Sequence, residues 1–256
     1  MRAVSTLYAG ALYAFVYLPV AVLVMFSFQG TLFPIPPFNG PSLRWYGAVL
    51  SDDRLTSGLY HSLFVAFLSS TAATILGFLS AWGFARFTLP ASALLRGLIT
   101  LPLTVSYLII GMGLLVIFTA IGMPKSLLAA GIGHVVINLP LCFSIIYSQM
   151  GDHQTNIEKA ARDLGANELQ VLSLITAPML WPALFASFFL SMTFSWDEFV
   201  ISFLLTRFDT TLPVEIWNLL RAGLNPKTNA VGSLVFAVSI VFAIIFELVT
   251  LKRRPQ

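Results

Sequence analysis

Thr155–Pro178 reads TNIEKAARDLGANELQVLSLITAP and is the longest polar interval between two membrane-like segments. Thr155 and Glu158 have the spacing of a capping box, in which each side chain satisfies an orphan backbone N–H of the other. Ile157, Ala160, Ala161 and Leu164 follow at i, i+3, i+4 and i+7 and predict one narrow apolar face. Glu158, Lys159, Arg162 and Asp163 cover the remainder. Gly165 falls after the last apolar position, where a helix ends in a left-handed residue. Asn167 is placed to cap a second helix that runs toward Pro178. The segment therefore predicts an ordered helix pair, with a small-residue face suited to a partner's groove or to packing on its own protein.

The surroundings of this segment are apolar. The chain of 256 residues is 57% hydrophobic and 10% charged, with mean hydropathy +0.87. A soluble domain carries roughly 25% charged residues, so the chain is predicted to be an all-α integral membrane protein. Six stretches meet the length of about 20 apolar residues that a bilayer demands, at about 7–28, 60–86, 94–120, 127–150, 180–205 and 230–251. They form one transmembrane domain over residues 1–256. The first stretch reads as a retained span, since no small-residue cleavage site follows a short core. Cys142 stands alone, which excludes an internal disulfide and a cysteine metal site. No metal site is expected from His61, His134 and His153 either, whose spacing suits packing. A scattered net charge of +3 does not point to nucleic acid.

Gly30–Pro41 holds four prolines and two glycines and forbids a helix. After it Ser42 is placed to cap a short helix, with Trp45 and Tyr46 at the membrane interface. Ala66, Ser69, Ser70, Ala72, Ala73 and Gly77 predict close helix approach in the second span, and Gly111 with Gly113 does the same in the third. Pro102 predicts a kink in the third span, and Pro140 an interruption of the fourth. With an even number of spans both termini lie on one side. Of the Lys and Arg residues, eight fall on that side and six on the other. Arg86, Arg96 and the terminal Lys252–Arg254 cluster place both termini and 155–178 in the cytoplasm.

Ala160, Ala161, Gly165, Ile175 and Pro178 match in register the pattern E-A-A, three residues, Gly, nine residues, I-x-L-P. The segment thus resembles the EAA loop of permease subunits of ATP-binding-cassette importers with the type I fold. Lys159 stands where that family places Glu, with Glu158 one residue earlier, and Ala177 replaces Leu. WYGAVLSDDRLTSGLYHSLFVAF and FSWDEFVISFLLTRFDTTLPVEIWNLLRAGLNPKTNA are similar to the spermidine/putrescine branch. TVSYLIIGMG, with Ser106 and Tyr107, replaces the Pro-acidic pair that polyamine permeases carry early in span three.

The resemblance implies a multi-pass inner-membrane subunit of a binding-protein-dependent importer, working with a second permease, two ATPase copies and an external solute-binding protein. ATP and magnesium would sit on the ATPase, since no G-x-x-x-x-G-K-[ST] occurs in this chain. The chain itself is then a transport subunit, without catalytic residues or cofactors. Glu158, Lys159, Ala160, Ala161, Gly165, Ile175 and Pro178 would couple to the ATPase, with Pro178 handing movement to span five. Asp197 and Glu198 are carboxylates inside a span, which face a cavity or a partner. One reading has one of them draw a cationic solute, with Trp196 and Tyr107 beside it; the other has them hold an interface. Glu215, Trp217 and Arg221, on the amphipathic stretch after span five, suit binding-protein docking or a lid on the external gate. The solute is expected to be amine-bearing and polyamine-like. The alternatives are an opine, an amino-acid derivative, thiamine or a phosphonate on the same fold, or a secondary transporter.

Overall fold

The structure, a computed structural model, describes residues 2–32, 34–223 and 225–251. Among these the secondary structure is helical apart from one isolated bridge between Gln29 and Pro41. The Lys252–Arg254 cluster lies outside the described residues.

The helices are α1 (Arg2–Ser27), α2 (Arg44–Leu50), α3 (Asp53–Arg86), α4 (Ser92–Thr100, extended by a 3₁₀ turn Leu101–Leu103), α5 (Tyr107–Ala120) and α6 (Leu127–Tyr147). They continue as α7 (Asp152–Asp163), α8 (Glu168–Met179), α9 (Trp181–Trp196), α10 (Val200–Leu205), α11 (Leu212–Ala222) and α12 (Pro226–Leu251). Four helices are long and apolar enough to cross a membrane alone, and up to six spans exist if each bent pair counts as one. The chain divides into two compact units, Met1–Gly58 with Leu212–Val241 and Leu59–Thr211 with Phe242–Gln256.

The third span is kinked at Pro102, as the sequence predicts, while the fifth is not the continuous rod its apolar run suggested. Ser92–Leu103 and Tyr107–Ala120 meet at 106°. Pro102 sits in the 3₁₀ turn, and Ser106 restarts the chain by accepting the Leu108 N–H on its side-chain oxygen. In the fifth span, α9 stops at Trp196 and α10 resumes at Val200. Pro140, by contrast, does not interrupt the fourth span: α6 runs through it. Pro140 is buried, and α3 packs on the following turn closely enough to hold the path past the missing N–H.

The second unit is built on small residues, as the sequence predicts. A Cβ added to Gly77 would lie 2.8 Å from the Cys142 Cβ and 2.9 Å from the Phe143 backbone nitrogen, so α3 and α6 touch backbone to backbone. Hydroxyls rivet α3 to α9: Ser69 Oγ lies 2.9 Å from Ser195 Oγ, and Ser191 Oγ donates to Ser70 Oγ at 3.1 Å. The short α10 is wedged against α5 and α6, where Phe118, Ala129, Ala130, Ile137, Ile201 and Leu205 form a core. Gly111 and Gly133 make room for it, since a Cβ there would strike Leu204 and Ile201. Gly113, predicted to serve the same purpose, faces open space.

In the first unit, α1 exposes an apolar surface over most of its length, as a lipid-facing span does. Trp45 and Tyr46 pack against neighbouring segments of this unit, Trp45 buried and Tyr46 half-buried. Trp45 is buried and donates from Nε1 to the Gln29 carbonyl at 2.7 Å, while the Tyr46 hydroxyl meets Ser27 and Ser233. These partners draw the rings inward. Gln29 in turn gathers the proline-rich loop, donating to the Ile35 and Pro37 carbonyls and accepting from the Asn39 N–H. Ser42 accepts the Arg44 N–H one residue ahead of the α2 cap.

Gly77→Val is expected to cost about 1–3 kcal/mol through overpacking of α3 on α6 and to lower the melting temperature in detergent. Gly10→Val, with no atom within 4 Å of its added Cβ, serves as the unperturbed control.

Candidate functional site

The polar segment between α6 and α9 folds into the helix pair α7–α8. α7 begins three residues before the predicted capping box, with Gly151 in extended conformation as its cap and the Thr155 hydroxyl donating back to the Gly151 carbonyl. Its other end matches the sequence reading. Gly165 adopts φ +91°, the Gly165 N–H reaches the Arg162 carbonyl and the Ala166 N–H reaches that of Ala161. This is a Schellman stop, which needs a left-handed residue and so favours glycine. Asn167 and Gln170 then exchange side-chain and backbone hydrogen bonds at 2.9 Å and start α8. A bidentate Arg162–Glu168 pair, at 2.7 and 2.9 Å, spans the turn and holds the Glu168 carboxyl below its usual range.

Glu158 departs from its predicted place on the polar face. It is fully buried. Its carboxylate accepts from Arg86 Nε at 2.5 Å, from Arg86 Nη2 at 3.2 Å and from Thr176 Oγ1 at 2.8 Å. Thr176 ends the stretch Val171–Thr176, which is wound as a π-helix. Lys159 remains exposed. The small-residue stripe exists, but its outer edge faces away from the protein. Ile157 and Ala161 are half-buried, Ala160 is exposed, and Leu164 is 90% exposed, with Leu169 and Leu174 also outward. Ala161, Leu164, Gly165, Ala166, Gln170, Leu174 and Ile175 line a shallow apolar groove between the two helices. Pro178 is exposed, and just beyond it α8 turns through 74° into α9 at Leu180. Leu180 is itself buried with Phe78, Ala81, Phe143 and Ile146. The connection through Pro178 to the fifth span is therefore bent.

The break in the fifth span is organised by Glu198. Its carboxylate accepts the Ile201 N–H, at 3.0 and 2.9 Å, and the Ser202 N–H at 3.1 Å. It thereby caps the start of α10, where a carboxylate also meets the positive end of the helix dipole. His134 Nε2 lies 3.4 Å from the same carboxylate and 3.0 Å from Ser202 Oγ, and His134 Nδ1 lies 2.6 Å from Ser195 Oγ. Ser195 meets Ser69, so a chain of polar groups runs from α3 through α9 and α6 to α10. Asp197 is different: its side chain is exposed and makes no hydrogen bond or ion pair among the described residues. The two adjacent acids, both in the break between α9 and α10, thus differ in their surroundings: Glu198 is buried and Asp197 is exposed. Trp196, expected to offer its ring beside them, is 2% exposed and packs edge-on against Phe242, so that ring is covered in this conformation. Tyr107 is partly exposed in the first turn of α5.

In the first unit, α11 buries Leu212 and Val214, and leaves Trp217 and Arg221 outward, with Glu215 half-buried over Gly58. Lys227 pairs with Asp52 and holds its carboxyl below the ordinary range.

Arg86, Thr176 and the His134–serine chain were not named from sequence as site residues. The serines had a legible signal, since Ser187, Ser191 and Ser195 recur every four residues on one face of an otherwise apolar helix.

Residues 73–254 match the family of binding-protein-dependent transport system inner membrane components. The chain belongs to this family. The putrescine transport system permease protein PotI of Escherichia coli K12 is 37% identical over 238 residues, covering 90% of this chain and 84% of that protein. The spermidine/putrescine permease PotC of the same strain is 29% identical, covering 93% and 90%. The fold matches a chain of a bacterial ABC transporter that imports alginate, with TM-score 0.73, 18% identity, and coverage of 99% of this chain and 96% of that one. A chain of the MetNI methionine transporter gives TM-score 0.63 at 14% identity, covering 78% and 96%. The type I permease fold expected from the EAA spacing is therefore present, and the chain is a multi-pass transport subunit of the membrane rather than an enzyme.

Glu198→Ala strands the Ile201 and Ser202 N–H groups and is expected to cost about 1–3 kcal/mol, lowering the melting temperature in detergent. Asp197→Asn, with no internal bond to lose, should leave it unchanged.

Proposed function

We propose that this chain is the permease subunit of an ATP-driven importer for a small amine-bearing solute of the putrescine and spermidine kind. The observation that carries the coupling part is the outward apolar groove of α7–α8. A helix pair fixed by a Schellman stop, a reciprocal cap and a bidentate ion pair is too ordered to be a slack loop, yet it leaves Ala160, Leu164, Leu169 and Leu174 uncovered. An apolar helical surface beside a membrane suits a groove on a soluble partner. The partner is an ATPase, present in two copies and carrying ATP and magnesium. Lys159, Ala160, Ala161, Gly165, Ile175 and Pro178 form or flank the docking surface, while Glu158 works from inside the fold. A second permease, homologous to this one, completes the passage. Both termini and α7–α8 face the cytoplasm.

The solute class rests on PotI and PotC, whose names give putrescine and spermidine, and on Asp197. An ionised carboxylate at a break in a span, with no internal partner, attracts a cation entering a water-filled passage. The first unit gathers the polar segments between spans one and two and between five and six, including Glu215, Trp217 and Arg221. These face outward and receive the solute-binding protein.

Two measurements test this reading. Leu164→Asp is expected to leave the protein in the membrane and remove co-purification with the ATPase; retained co-purification contradicts the docking surface. Asp197→Asn is expected to lower putrescine uptake about ten-fold or more while the ATPase stays bound, the loss of one charge-assisted contact being worth that much. Normal uptake would remove Asp197 from the passage.

A further inference from the structure

We propose that Arg86, Glu158 and Thr176 form a latch that carries movement of α7–α8 into α3, so that α3, rather than the chain through Pro178, transmits the ATPase stroke toward the break at Asp197. Glu158 is then a positioning residue for transport. The inference rests on the docking reading above.

The latch joins three separate pieces of the second unit: the last residue of α3, the middle of α7 and the end of the π-helical stretch of α8. Its ion pair is dry, with side-chain exposures of 7% for Arg86 and 0% for Glu158. In such surroundings the pair is not screened by salt or water, and parting its members strands two charges. The Arg86–Glu158 contact therefore resists separation when α7 is pulled.

The covalent route is softer. α8 loses ordinary α-helical bonding over Val171–Thr176, and Leu180, with φ −92° and ψ 8°, then sets the 74° turn into α9. Push along the axis of α8 is spent in bending there. α3 is the stiffer element. It runs without proline for 34 residues, about 50 Å at 1.5 Å per residue.

α3 also has somewhere to deliver the movement. Ser69 and Ser70 bond to Ser195 and Ser191 of α9, and Ser195 leads through His134 to Ser202 and Glu198 at the α10 cap. A displacement of α3 bears on that cap, and so on the segment that presents Asp197. The polar contacts are continuous from the latch helix to the break, which gives the movement a connected route through the packed core.

The test is a double-mutant cycle on the reconstituted transporter with its ATPase, second permease and binding protein. The readout is solute taken up per ATP hydrolysed. Glu158→Gln and Arg86→Gln are each expected to lower this ratio about ten-fold, with ATPase co-purification retained. The double variant should be no worse than either single one, because the two side chains act as one unit. Thr176→Val should give a smaller fall in the same ratio. The proposal is overturned by an unchanged ratio in both singles, by uptake and hydrolysis falling in proportion, or by single effects that multiply in the double variant. If the Arg86 variants do not assemble, Glu158→Gln with Thr176→Val decides by the same ratio. Failure of the docking reading shows separately, as Leu164→Asp retaining the ATPase.

Discussion

A carboxylate withdrawn from water without a partner is among the costliest groups a protein can bury. This chain buries two, Glu158 and Glu198, and much of its architecture follows from satisfying them. Around Glu158 come the earlier start of α7, the π-helical stretch of α8 and the inward turn of Arg86 at the end of α3. Around Glu198 come the three-residue break in the fifth span, the short α10 that it caps and the placement of His134 between three helices. In both places the glutamate sits where elements that are distant in sequence converge. Each breaks the regular helix that the apolar pattern alone would give.

The two sites divide the labour of adjacent residues in similar ways. Glu158 is consumed internally while Lys159 and Ala160 stay on the surface. Glu198 is consumed internally while Asp197 stays open. For Glu158 and Lys159 helical geometry makes this division available, since neighbours project about 100° apart, whereas Asp197 and Glu198 lie in the break between two helices. The groove between α7 and α8 is lined by Ala161, Leu164, Gly165 and Leu174, and Lys159 is not among its lining residues.

Helix class, the approximate spans, the Gly165 stop, the Asn167 cap and the small-residue face of α3 were legible because each depends on local pattern: hydropathy, a left-handed residue, a side chain reaching three positions on, or a missing Cβ. The features that eluded the sequence depend on distant partners. Nothing near Glu158 says that Arg86, 72 positions earlier, lies beside it. Pro140 reads as a break from its own chemistry, yet α6 runs through it beside the close packing of α3 on Cys142 and Phe143. Pro102 marks the bend of the third span, but its size of 106° does not follow from one proline. Trp196 and Trp45 read as open aromatic rings because composition does not reveal that Phe242 and the Gln29 carbonyl cover them.

The central claim is that α7 and α3 move together. It is tested most directly by placing spin labels on His153, exposed in the first turn of α7, and on Leu79, on the outward face of α3, with distances recorded in the nucleotide-free and ATP-trapped transporter. The account predicts one unchanged distance distribution in the two states, and a broadened or shifted one when Glu158→Gln is introduced. A shift of several ångströms between the states in the otherwise native chain would contradict it.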